Sequence, residues 1–116
     1  MRIALFGKPF KQKYNDAVQH LVDRIQGIDS EALVYAEFMD LLNKSTKVPS
    51  TFKTFSCAED IEGYDVLFSV GGDGTFLESC TLASEKGMPI MGINTGTLGF
   101  LSNVGTDSID DAIDAI

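Results

Sequence analysis

The sequence predicts an α/β domain with a mainly parallel sheet flanked by helices. Three observations lead to this prediction. Short apolar runs alternate along the chain with segments of helical periodicity. The run at 65–70 is apolar almost throughout, as in a strand that is covered on both faces of a parallel sheet. Two glycine-rich loops each follow a predicted strand directly, and the 116 residues suffice for one domain with a single core.

The individual elements follow from spacing and from breaker residues. Strands are expected at 2–6, 32–36, 52–55, 65–70 and 89–93. Helices are expected around 14–25, 38–42, 76–83 and 108–116. The first helix has apolar residues at i, i+3, i+4 and i+7, and Gly27 is predicted to cap its C-terminus. His20 falls on the polar side of this helix, so we expect it to be a solvated surface residue.

The last predicted helix stops in the middle of its apolar stripe. The chain ends on Ile116 without a glycine, a basic final turn or any other cap. Because natural domains seldom end in this way, we expect the chain to be a fragment of a longer protein.

Charge and cysteine usage narrow the class of function. Nine Lys and Arg against 17 Asp and Glu give a formal net charge of −8, so binding to nucleic acid is not expected. No run approaches the roughly 20 apolar residues that span a bilayer, and no signal peptide is visible, which favours a cytoplasmic protein without a membrane partner. Cys57 and Cys80 lack zinc-site spacing and are interpreted as packing residues.

The first glycine-rich loop, Gly71-Gly-Asp-Gly-Thr75, matches neither of the two common phosphate-binding motifs. A P-loop needs a lysine after its last glycine, and none follows Gly74. A dinucleotide fingerprint needs a third glycine where Leu77 stands. The loop is therefore expected to bind its ligand with a different arrangement of charges.

Asp73 is the informative residue of this loop. Glycines let a ligand approach backbone N–H groups closely, and a helix N-terminus favours an anion, but a carboxylate would repel a bare phosphate. A divalent cation between carboxylate and phosphate would remove the conflict. Alternatively, Asp73 could accept a proton from a hydroxyl group, and both alternatives describe phosphoryl transfer to an alcohol. A third interpretation is that Asp73 only caps the following helix.

The second glycine-rich loop runs from Gly92 to Leu101 and offers hydroxyl and amide groups that suit sugar or phosphate contacts. Phe100 and Leu101 could stack on a base or, equally well, pack in the core.

Together, the two loops resemble those of the NAD kinase family. Gly71-Gly-Asp-Gly-Thr75 is similar to a motif shared by NAD kinases, diacylglycerol and sphingosine-type lipid kinases and, loosely, phosphofructokinases. Gly92-Ile-Asn-Thr-Gly-Thr-Leu-Gly-Phe-Leu101 looks like the motif typical of NAD kinases. The resemblance extends over the 116 residues in the order of strands and helices, and it implies a Rossmann-like sheet.

The resemblance implies transfer of a phosphoryl group from ATP, or from polyphosphate, to the adenosine ribose 2′-hydroxyl of NAD, with a divalent metal such as Mg²⁺. Asp73 would be the base or would organise the metal. The nucleotide-binding residues would be Gly72, Asp73, Gly74, Thr75, Leu77 and Phe100. Leu101 would also line the adenine pocket, beside the variable position Thr97.

The resemblance also implies that residues 1–116 form the N-terminal nucleotide-binding domain of a longer enzyme. A β-rich C-terminal domain would complete the NAD site, the full-length protein would be a dimer or tetramer, and the isolated chain would be inactive. Two alternatives remain: a lipid or sugar kinase of the same superfamily, and a nucleotide-binding module without catalysis.

Overall fold

The computed structural model describes residues 1–83, 87–95 and 106–116. Its five strands are β1 (Ile3–Gly7), β2 (Leu33–Tyr35), β3 (Lys53–Phe55), β4 (Val66–Gly71) and β5 (Ile90–Asn94). Its four helices are α1 (Asn15–Ile28), α2 (Ala36–Ser45), α3 (Asp73–Ala83) and α4 (Thr106–Asp114). Short 3₁₀ turns lie at Gln12–Tyr14 and Ala58–Ile61. The predicted alternation of strands and helices is confirmed.

All five strands are parallel and follow the spatial order β3-β2-β1-β4-β5. From β1 the chain proceeds to one edge of the sheet, through β2 and β3. It then returns to the other side of β1, where it forms β4 and continues outward to β5. The side on which successive strands are added to the sheet therefore changes between β1 and β4. In open parallel sheets, ligands bind at the carboxyl ends of such a strand pair.

The pleat of β1 divides the core between the two faces of the sheet. Ile3 and Leu5 belong to a cluster with buried residues of α1, α2 and α4, whereas Ala4 and Phe6 belong to a second cluster with Phe55 and with residues of β4 and α3. Since successive side chains of a strand point to opposite faces, β1 and β4 are covered on both sides. This explains their near-continuous apolar sequences.

Helix α3 packs through small side chains. Its buried residues are Thr75, Ser79 and Ala83, at a spacing of four. The hydroxyl of Ser79 donates a hydrogen bond to the carbonyl oxygen of Thr75 at 3.0 Å, so this polar group is satisfied inside the helix. Small residues let α3 lie close to β4, which keeps the start of the helix next to the end of the strand.

Three local expectations prove wrong. Helix α1 continues through Gly27 to Ile28, and Gly27 is an ordinary helical residue with open space beside it. His20 is two-thirds buried, because its Nε2 lies 2.7 Å from Oδ1 of Asp110 on α4. Cys57 is exposed and caps the second 3₁₀ turn together with Asp60, so it does not serve as a packing residue.

Within the described ranges, no helix is long and apolar enough to cross a membrane.

Candidate functional site

The candidate site lies at the carboxyl ends of β1 and β4, where the first glycine-rich loop connects β4 to α3. The connection is a single residue, Gly72, since β4 ends at Gly71 and α3 begins at Asp73. The carbonyl oxygen of Gly72 accepts the first helical hydrogen bond, from the N–H of Phe76 at 3.1 Å. Gly72 is therefore the N-cap residue of α3.

Gly71 has to be a glycine because the chain folds back tightly at this position. A Cβ atom on Gly71 would lie 2.5 Å from Oγ1 and 2.7 Å from Cβ of Thr75, and the backbone has a φ of +156°. Thr75 is itself only 7% exposed. The predicted nucleotide contact of Thr75 thus falls on a side chain that packs on Gly71, and the contact stays a prediction.

Asp73 occupies the first helical position of α3, one residue after the N-cap. Its Oδ1 atom is buried and makes no hydrogen bond among the described residues. A carboxylate oxygen that is removed from water normally has a partner, since desolvation without one costs free energy. Because Gly72 rather than Asp73 is the N-cap residue, the structure favours the other interpretations of Asp73, in which its unpartnered Oδ1 accepts a hydrogen bond from a ligand or binds a cation.

Gly74 and Leu77 are on the open surface of α3. Nothing lies within 4 Å of the point where a Cβ atom on Gly74 would stand, and Leu77 is 67% exposed. Residues three apart lie on the same side of a helix, so the two form one surface. The predicted nucleotide contacts of Gly74 and Leu77 fall on this exposed surface and stay predictions.

The second glycine-rich loop starts next to the first. Gly71 pairs with Asn94 in the sheet, and the N–H of Thr95 donates to the carbonyl oxygen of Gly71 at 3.0 Å. The gap between the two strand ends is too small to hold a water molecule, and it is lined by Ser69, Gly71, Gly72, Phe76, Gly92, Ile93 and Asn94. The two loops therefore start side by side, and the expectation that they face one crevice stays a prediction. Thr97, Phe100 and Leu101 lie outside the described residues.

Lys8 is a residue that the sequence reasoning missed. Its N–H donates to the carbonyl oxygen of Val70 at 3.1 Å, and its Nζ lies 3.2 Å from Oε2 of Glu78 on α3. Its position directly after a central strand was the available indication, because the loops that follow such strands form the binding edge of the sheet.

At this edge the structure offers a metal the carboxylate of Asp73, while the second carboxylate of α3, Glu78, is paired with Lys8. In the ranges that the structure covers, no group of three or more His, Cys, Asp or Glu side chains is arranged to hold a metal ion. Mg²⁺ is commonly held by one or two carboxylates together with substrate phosphates, and the buried Oδ1 of Asp73 fits that mode.

The sequence from the end of β1 onward matches a known domain family. The family model described as the ATP-NAD kinase N-terminal domain matches residues 7–116. The chain belongs to this family. The match includes both glycine-rich loops and the loop that carries Lys8. Membership confirms the resemblance to NAD kinases and favours it over a lipid or sugar kinase.

Several bacterial NAD kinases are similar to this chain. An NAD kinase of Cytophaga hutchinsonii is 38% identical over 117 residues, which cover 100% of this chain and 40% of that protein. An NAD kinase of Flavobacterium psychrophilum is 33% identical over 95% of this chain and 38% of its own length. An NAD kinase of Bacteroides fragilis is 31% identical over 100% of this chain and 40% of its own length. The chain thus spans about 40% of these NAD kinases.

Proposed function

We propose that this chain is the nucleotide-binding domain of an NAD kinase, which transfers a phosphoryl group from ATP to the 2′-hydroxyl of the adenosine ribose of NAD. Membership in the ATP-NAD kinase N-terminal domain family supports the reaction. The observation that carries the mechanism is the buried Oδ1 of Asp73, which has no hydrogen-bond partner in the described part of the chain.

Asp73 acts as the general base. Its free carboxylate oxygen accepts the proton of the ribose 2′-hydroxyl while the hydroxyl oxygen forms its bond to the γ-phosphorus, and ADP leaves with the electrons of the broken P–O bond. The position of Asp73 at the start of α3 places it beside Gly74, where a Cβ atom would meet nothing within 4 Å. A ribose can therefore approach the start of α3, and a rotation of the Asp73 side chain would bring its buried carboxylate oxygen to the 2′-hydroxyl.

The backbone of the loop holds the phosphates. The first N–H groups of α3 lack helical partners, and together with the helix dipole they favour an anion at this end. A bound Mg²⁺ would add charge neutralisation between Asp73 and the phosphate oxygens. The exposure of Gly74 and Leu77 near the start of α3 supports their proposed contact with the nucleotide. Gly72, which is partly exposed, would contribute from the loop itself, and Phe100 from the second loop.

The rest of the NAD site is proposed to come from a β-rich C-terminal domain, so that residues 1–116 alone have no activity. The relatives provide the support, since the matched region is about 40% of their length. We also propose a cytoplasmic homo-oligomer that binds neither nucleic acid nor membranes, in line with the net charge of −8 and the two free cysteines. Steady NADP formation by the purified 116-residue chain would contradict the need for the second domain.

The decisive experiment is Asp73→Asn in the full-length protein. Asparagine keeps the size of the side chain but cannot accept the proton, so turnover should fall by about 10²–10⁴-fold. The affinity for NAD, measured by calorimetry, should change little. Unchanged turnover would exclude Asp73 as the base, and wild-type protein that binds nucleotides without forming NADP would indicate a non-catalytic binding module.

A further inference from the structure

Lys8 follows β1 directly, at the topological switch point between β1 and β4. It follows Gly7, which pairs with Val70 in the sheet, and its N–H donates to the carbonyl oxygen of Val70 at 3.1 Å. Val70 precedes the first glycine of the loop. The backbone of Lys8 is thereby fixed next to the glycine-rich loop, on the opposite side of β4 from β5.

The side chain of Lys8 reaches from the end of β1 to α3. Its Nζ lies 3.2 Å from Oε2 of Glu78, and it lies 5.6 Å from the centre of the Phe6 ring. Glu78 is four residues after Gly74, so both are on the same side of the helix. The ammonium group is therefore held near the open surface that begins at Gly74, and the side chains of Lys8 and Glu78 remain 42% and 55% exposed.

A phosphate chain bound at this edge of the sheet needs a positive charge beside it. Helix α3 contributes two carboxylates here, Asp73 and Glu78, and each repels phosphate oxygens. Other basic side chains are engaged elsewhere: Arg2 stacks on Tyr64, and Arg24 pairs with acids of α4. Among the described residues, Lys8 is the one whose ammonium is seen in an ion pair with α3.

We propose that Lys8 binds phosphate oxygens of the triphosphate donor at the carboxyl ends of β1 and β4, with Glu78 orienting its ammonium group. The proposal rests on the kinase function proposed above. A lysine ammonium has three donors and binds phosphate as a point charge. One donor can stay on Glu78 while the others bind phosphate, and the exposed ion pair is weak enough to rearrange.

The test compares Lys8→Met with Lys11→Met in the full-length protein. Lys11 is an exposed lysine of the same segment, so its variant has the same loss of charge. In Lys8→Met, the KM for ATP should rise about tenfold or more, as for the loss of a charged hydrogen bond, while the KM for NAD stays within about twofold. Lys8→Arg should restore most of the affinity for the donor. Calorimetry with a non-hydrolysable ATP analogue should show weaker binding for Lys8→Met than for Lys8→Arg and Lys11→Met.

Glu78→Gln separates phosphate binding from a purely structural ion pair. If Lys8 only tied β1 to α3, this variant would raise the KM for ATP as much as Lys8→Met does, and the proposal would be overturned. Under the proposal, the KM for ATP stays level or falls, because glutamine still accepts a hydrogen bond and a repelling charge is gone.

Two further results would overturn the proposal: an equal effect of Lys8→Met and Lys11→Met, and an increase confined to the KM for NAD. The latter would assign Lys8 to the diphosphate of the dinucleotide. Failure of the kinase function itself would look different, since the wild-type protein would then form no NADP.

Discussion

The hydroxyl oxygen of Thr75 lies 2.5 Å from the point that a Cβ atom on Gly71 would occupy. This close approach joins the end of β4 to the first turn of α3. Gly71→Ala should therefore lower the free energy of unfolding by about 1–3 kcal/mol, through the clash and the unfavourable φ. Urea denaturation followed by circular dichroism measures the change. Gly27→Ala is the control, because that glycine has open space around it in α1; equal effects of the two variants would contradict the prediction.

Gly74→Ala should separate binding from folding. A Cβ atom at this position meets nothing within 4 Å, so the free energy of unfolding should stay level or rise by up to about 1 kcal/mol. The added methyl group should nevertheless occupy the space that the nucleotide needs, and the Kd for NAD should increase. Calorimetry on the full-length protein checks this. Gly27→Ala should have the same effect on stability with no change in Kd, and undiminished NAD binding by Gly74→Ala would remove Gly74 from the site.

Leu77→Ala should weaken nucleotide binding without destabilising the fold. Because Leu77 is 67% exposed, its truncation should change the free energy of unfolding by no more than about 0.5 kcal/mol. If the nucleotide covers this side chain, the loss of its apolar contact should raise the Kd for NAD about tenfold. Ile28→Ala, at an exposed apolar position of α1, provides the comparison. A Kd unaffected by Leu77→Ala would show that the ligand does not reach this part of α3.

Asp110 should contribute to acid unfolding. The hydrogen bond from His20 lowers the pKa of the Asp110 carboxyl group, and the positive charges of His20 and Arg24 act in the same direction. Because its pKa is lower in the folded state, the carboxylate stabilises the fold above its unfolded pKa, and this contribution is lost as the pH falls below about 4. Asp110→Asn should therefore weaken the dependence of Tm on pH in this range.

The control for this titration is Asp111→Asn, since Asp111 is the exposed neighbour of Asp110 on the same helix. The Tm of this variant should fall with decreasing pH in the same way as the Tm of the wild-type chain. If the Tm of wild type and the Tm of Asp110→Asn fall identically with decreasing pH, the contact between α1 and α4 does not respond to pH.

The order and type of the elements could be predicted from the sequence because local patterns encode them. The helical stripe of α1 and the apolar run of β4 are both evident without tertiary information. The partners of a residue are set by the tertiary fold. His20 was misjudged because its acid partner is 90 residues away on α4, and no local pattern predicts that α4 packs against the edge of the α1 stripe.

Helix α3 shows the same limit within the candidate site. The sequence predicted a helix around 76–83 but not which of its residues are buried: the helix buries Thr75, Ser79 and Ala83 and exposes Leu77. Close packing on β4 selects small side chains, and hydropathy alone does not reveal this. The chemistry of Asp73 could be anticipated because the glycines around it are unusual, whereas Lys8 has no such local context.

The central pairing of β1 with β4 has a consequence for how the protein becomes functional. The Arg2 N–H donates to the Asp65 carboxylate across a separation of 63 residues, at the entrance to this strand pair. Closing so long a segment is entropically costly and slows folding relative to local contacts. A synthetic peptide that contains only the glycine-rich loop would lack the neighbouring strand and would not capture a nucleotide. During translation, the candidate site can assemble only after the ribosome has released β4, when the helices between the two strands are already available to pack.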